Sequence, residues 1–141
     1  MDLTVNYPKI QNNKQTFGKM KFKDGTACEL ANQAGKFYPK GTKGNSMYDE
    51  FLLALDSFVL RQAENKEVDI VVKRSKDWLG SKRLVAEVVP AVDSLEMKTF
   101  KQDVKPEKGR LLLFLCEAEK FANKQQEKVK DILMMNHPNL K

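Results

Sequence analysis

The sequence contains few of the residues that metal sites and disulfide bonds require. Its 141 residues include two cysteines and one histidine. Cys28 and Cys116 show no CxxC spacing, and the histidine, His137, lies near the end of the sequence. We therefore expect reduced thiols, no zinc or other metal site, no cofactor and no Cys–His catalytic pair.

Long apolar runs are absent as well. No stretch of eighteen consecutive apolar residues occurs, and residues 1–20 lack the cationic start and apolar core of a secretory signal. We therefore expect no membrane partner. The expected location is the cytoplasm, or the nucleus if the source is eukaryotic.

The composition is that of a folded chain. Hydrophobic residues make up 41% and charged residues 31%, a mixture too apolar for a disordered protein. The length fits one domain covering residues 1–141. We expect a sheet with an inserted helix over residues 1–105 and a C-terminal helix over residues 106–136.

Alternating apolar residues predict strands in the first forty positions. LTVNY at 3–7 and TFGKMKFK at 16–23 alternate in polarity, and Asp24-Gly25 provides turn residues that favour a hairpin. TACEL together with GKFY, residues 26–38, can form the third strand. The sequence thus predicts three antiparallel strands before any helix.

A helix and two more strands are expected next. Ser46 suits an N-cap, and the helix predicted after it extends to Asn65, with apolar residues at helical spacing between Met47 and Val59. Leu53 and Leu60 fall on the opposite side of this helix, where they could touch a partner. EVDIVV and RLVAEVVPAV are rich in β-branched residues and predict neighbouring strands. The complete prediction is an α+β fold with a mostly antiparallel sheet in the order β-β-β-α-β-β.

The last segment has the clearest helical pattern. Apolar residues recur at a spacing of four and three, interrupted by one polar member, Gln125. This stripe can pack on the protein's own sheet, the interpretation we favour, or pair with its copy in a homodimer. Its apolar members are Leu111, Leu115, Ala118, Ala122, Val129 and Ile132.

The most basic stretch also holds the only tryptophan. KRSKDWLGSKR, residues 73–83, has five cations and one acid. The predicted order of elements is similar to that of the five-stranded OB barrel, whose loop between strands 4 and 5 grips single-stranded nucleic acid. Cations neutralise phosphates and an exposed indole stacks on a base. Alternatively, Trp78 folds back beside Leu79 to cover one end of the core.

These features predict non-catalytic binding of nucleic acid, preferably single-stranded. The candidate contacts lie in the basic stretch and on the second predicted strand. They are Lys73, Arg74, Lys76, Trp78, Lys82 and Arg83, supported by Lys19, Lys21 and Lys23.

Two other functions remain open at this point. Asp24-Gly25-Thr26 followed by Glu50 resembles the carboxylate pattern of ribonuclease H-like nucleases. Lys73-Arg74 stands where a further acid should be and would repel the metal ions, so this resemblance implies a degenerate domain without catalysis. The remaining alternative is a small protein-binding adaptor or inhibitor that acts through its helices.

Overall fold

The computed structural model of the chain describes residues 19–38, 43–76, 78, 80, 82–92 and 94–136. In this part of the chain, four strands and three α-helices follow one another in the order β-α-α-β-β-β-α. They are β1 (Met20–Phe22), α1 (Thr26–Phe37), α2 (Lys43–Gln62), β2 (Val68–Lys76), β3 (Lys82–Pro90), β4 (Lys98–Lys101) and α3 (Leu113–Asn136). A short 3₁₀ turn, Lys108–Arg110, precedes α3.

The four strands form one mixed sheet in the order β1-β2-β3-β4. β1 runs parallel to β2, with Met20 beside Ile70. The other two pairings are antiparallel and place Val72 beside Ala86 and Ala86 beside Phe100. The protein is therefore an α+β fold with a mixed sheet, two of whose three pairings are antiparallel.

The prediction of a third strand over residues 26–38 is wrong, because most of this segment forms helix α1. Leu30 and Ala34 are fully buried and lie four residues apart, a spacing that places them on one helical face. Asp24 and Gly25 adopt positive φ angles and lead the chain from β1 into the helix instead of into a hairpin.

The OB-like order of elements is consequently not confirmed. Of the second predicted strand, the structure describes residues 19–23, and within them Met20–Phe22 form β1, which pairs in parallel with β2. The first predicted strand, residues 3–7, lies outside the described residues.

The hydrophobic core lies between the sheet and the helices. Alternate residues of the two central strands are fully buried, among them Ile70, Val72, Ala86 and Val88. The C-terminal apolar stripe begins at Leu111, just before α3, and α3 packs on this face of the sheet, across β2, β3 and β4. Leu111, Leu115, Ala118, Ala122 and Val129 are each at most 2% exposed, and Ile132 is half-buried.

The apolar stripe of the last helix is thus occupied within its own chain. Packing on the sheet is the interpretation that the sequence favours, and five of the six apolar side chains are at most 2% exposed in the single chain. Pairing with a second copy stays a prediction. The helix begins at Leu113 and not at Pro106, because the 3₁₀ turn intervenes. None of the described helices is long and apolar enough to cross a membrane.

Candidate nucleic-acid interface

The basic stretch forms the end of a long hairpin. β2 and β3 contain nine residues each and pair along their whole length, from Val68 beside Pro90 to Lys76 beside Lys82. The register of β1 ends at Val72 and that of β4 at Val85. The last residues of the hairpin therefore extend beyond both neighbouring strands.

Trp78 lies in the turn of this hairpin and is 90% exposed. Exposure of this extent is unusual for an indole, which is mostly buried in folded proteins. The side chain lies in solvent and does not cover an end of the core. The indole is therefore accessible to a ligand.

The candidate cations are divided between the two faces of the sheet. Arg74, Lys76 and Lys82 continue the alternation of the buried residues and lie on the face that the helices cover. Arg74 lies opposite the buried Leu84, and the two lysines lie beyond it. Lys21, Lys73 and Arg83 have the opposite parity and lie on the second face. Lys19 and Lys23 flank β1, the former bonded through its backbone N–H to Asp69. The sheet therefore separates six of the eight candidate cations into two groups of three.

Among the described residues, ion pairs link three of these cations to acids. Lys21 lies 3.3 Å from Asp69, whose side chain is almost fully buried.

On the hairpin, Lys73 lies 3.2 Å from Glu87, and Arg74 donates a hydrogen bond of 2.7 Å to Glu29. Arg74 also donates to the backbone oxygen of Asp24. Internal acids thus offset much of the charge of the paired cations.

Three candidates, Lys76, Lys82 and Arg83, have no ion pair within the described ranges. Lys76 and Lys82 are exposed and lie directly opposite each other at the base of the turn. Arg83 is half-buried and forms no ion pair with a described residue, although its charge helps to lower the pKa of Asp103. The unpaired charge of the hairpin is therefore concentrated at its end, beside Trp78.

Sequence reasoning missed one cation of the second face. Lys101 on β4 is exposed and lies beside Val85, which has Lys73 as its neighbour on the other side. The alternation of the segment KTFK, residues 98–101, was the available signal. This signal is weak, because the segment is short and contains a single apolar residue, Phe100.

A polar hollow of about 210 Å³ lies next to Lys101. Arg110 donates a hydrogen bond of 2.7 Å to Asp103 in its wall. This hydrogen bond, supported by the positive charges of Arg110 and Arg83, holds the pKa of Asp103 below its ordinary value. The carboxylate therefore stays charged at neutral pH, and its negative charge partly offsets the positive charge of the surrounding cations.

The residues behind the nuclease resemblance do not form a carboxylate site. Asp24 lies in the turn before α1, and Glu50 is an exposed residue of α2. Within the described part of the chain, no three His, Cys, Asp or Glu side chains are placed so that they could hold a metal ion. Cys28 and Cys116 are both exposed and free.

Comparison with protein-family models, curated proteins and solved structures found no match for this chain. A function has to follow from the geometry and charges of the chain itself. The end of the β2–β3 hairpin differs from the rest of the described surface because it combines an exposed indole with unpaired cations.

Proposed function

We propose that the protein binds single-stranded nucleic acid, without catalysing a reaction, through the end of the β2–β3 hairpin. The observation that carries this proposal is the 90% exposure of Trp78 in a turn flanked by Lys76 and Lys82. An indole in solvent contributes nothing to the core, whereas it can contribute to a complex.

The chemistry of a single strand fits this surface. An unpaired base offers a flat face to the indole, and stacking of this kind is worth about 1–3 kcal/mol per base. Lysine side chains on either side of the turn can neutralise the adjoining phosphates. In a duplex the faces of the bases are already stacked, so the tryptophan would lose its role.

The remaining candidate cations are assigned supporting roles. Lys73, Arg74 and Lys21 already have acidic partners, so a phosphate would have to compete with Glu87, Glu29 and Asp69. Cations without an ion pair, Arg83 on β3 and Lys101 on β4, can extend the positive surface along the second face. Lys19 and Lys23 lie at the ends of β1 and can contribute to long-range attraction.

Replacing Trp78 with alanine tests this proposal. Loss of one stacked base should weaken binding of a fluorescently labelled single-stranded oligonucleotide by about fivefold to 150-fold. Fluorescence anisotropy at low salt measures the change. The melting temperature should stay close to that of the original protein, because a side chain this exposed has few contacts to lose.

Two further variants make the result specific. Trp78→Phe keeps an aromatic face and should retain much of the affinity. Leu53→Ala removes a different exposed apolar side chain, 66% exposed on α2, and should leave binding unchanged. Equal affinity of the original protein and folded Trp78→Ala would contradict a stacking role.

A second candidate function, as a protein-binding adaptor or inhibitor, is favoured by the exposed face of α2. Leu53 and Leu60 are 66% and 71% exposed and lie seven residues apart, on one side of the helix. Apolar side chains at this spacing suit a helix-to-protein contact. A complex formed through them should depend little on salt, whereas oligonucleotide binding by the hairpin should weaken steeply as salt increases.

We also propose a reducing compartment, the cytoplasm, as the location of the protein. The exposed thiols of Cys28 and Cys116 support this assignment, because exposed free cysteines are kept reduced there.

A further inference from the structure

The end of the hairpin carries two like charges directly opposite each other. In the antiparallel register Lys76 pairs with Lys82, and both side chains are exposed. Directly opposed residues have Cβ atoms about 4.5–5.5 Å apart, so like charges at such positions destabilise the pairing. The hairpin thus ends on a pair of residues that disfavours its own formation.

No acid of the described residues relieves this repulsion. The acids near the hairpin already have partners, because Glu87 pairs with Lys73 and Glu29 pairs with Arg74. Neither Lys76 nor Lys82 forms an ion pair with a described residue. The one acid of the turn, Asp77, lies outside the described residues.

The side chain of Lys76 lies across the turn. Gly80 has a φ of 89°, and a Cβ built on it would be 3.9 Å from Cε of Lys76. The stem of the lysine therefore passes next to Gly80, on the far side of Trp78 in the chain. This placement brings its ammonium group to the part of the hairpin where the indole is exposed.

We propose that Lys76 and Lys82 together bind one phosphate group of the strand whose base stacks on Trp78. A phosphate between two ammonium groups converts their repulsion into two charge-assisted hydrogen bonds. The ligand unit of the hairpin is then a nucleotide, with its base on the indole and an adjoining phosphate between the lysines. This inference rests on the proposed function and reduces the many candidate cations to two.

A charge reversal separates this phosphate site from a diffuse positive surface. Lys76→Glu places opposite charges across the pair, so the melting temperature should rise or stay constant. Affinity for a single-stranded oligonucleotide at low salt should nevertheless fall at least about tenfold. The slope of the logarithm of the affinity against the logarithm of the salt concentration should become shallower by about 0.7, because one phosphate contact is lost. A gain in stability together with a loss of binding is the combined result that we expect.

Two controls complete the experiment. Lys66→Glu makes the same change of charge at an exposed residue in the connection between α2 and β2, and should weaken binding far less. The double variant Lys76→Glu/Lys82→Glu restores a pair of like charges, so its melting temperature should fall below that of Lys76→Glu while binding stays lost.

The outcomes distinguish this inference from the function on which it rests. If Trp78→Ala weakens binding but Lys76→Glu weakens it no more than Lys66→Glu, the stacking function stands and the phosphate site is wrong. If the original protein does not bind the oligonucleotide even at low salt, both are wrong. Binding to phosphatidylserine vesicles in place of the oligonucleotide would assign the lysine pair to a lipid headgroup and overturn the proposal.

Discussion

Replacing Phe114 with alanine should lower the free energy of unfolding by about 3–5 kcal/mol. Phe114 is 1% exposed and lies on α3, where it belongs to the core between this helix and the sheet. Removal of a buried ring forfeits its transfer free energy and leaves a cavity that the surrounding side chains fill only in part. Since small domains are stable by about 5–15 kcal/mol, the loss is a large share of the total.

Urea unfolding followed by circular dichroism measures this loss. Phe37→Ala is the matched control, because the same ring is removed from a side chain that is 36% exposed at the end of α1. We expect Phe37→Ala to cost clearly less. If both variants lost the same free energy of unfolding, Phe114 would not be packed in the core between α3 and the sheet.

Gln102→Leu should cost about 1–3 kcal/mol, although leucine has nearly the same volume as glutamine. The Gln102 side chain is 3% exposed and joins three parts of the fold. It donates 2.8 Å and 3.0 Å hydrogen bonds to Oε1 of Gln33 and to the carbonyl oxygen of Leu111, and accepts a 3.0 Å bond from Gln33. Leucine would leave these partners unpaired in a region that water reaches poorly.

Gln126→Leu is the control for this variant. Gln126 makes one long contact, 3.5 Å to the carbonyl oxygen of Glu64, and is half-buried. Its replacement should change the free energy of unfolding by no more than about 0.5 kcal/mol. If Gln102→Leu were as mild as Gln126→Leu, the hydrogen bonds of Gln102 would not connect α1 to the end of β4.

The parts of the fold that could be predicted are those whose pattern has one physical explanation. The β-branched runs of β2 and β3 can be buried as strands, and the four-three spacing of α3 fits only a helix. The segment that became α1 was misjudged because Asp24-Gly25 favours a hairpin locally. Leu30 and Ala34 are fully buried on one face of the helix, so tertiary packing prevails over the local preference of the turn.

The sequence predicts which cations lie near the tryptophan, but not which of them form ion pairs with acids. Five cations near one tryptophan indicate an anionic ligand, and the sequence places them all within residues 73–83. Which of the cations are neutralised depends on Glu29 and Glu87, and their proximity follows from the helix α1 and from the strand register. A single sequence does not contain that information, and the same holds for Lys101, which the register brings beside Val85.

Titration of the Trp78 fluorescence with a single-stranded oligonucleotide tests the central claim most directly. Trp78 is the only indole, so the signal reports on the hairpin without a label. The account predicts saturable quenching that weakens by roughly sevenfold to twentyfold when salt is raised about fourfold, for two or three neutralised phosphates. Unchanged fluorescence at low salt, in protein shown to be folded, would contradict it.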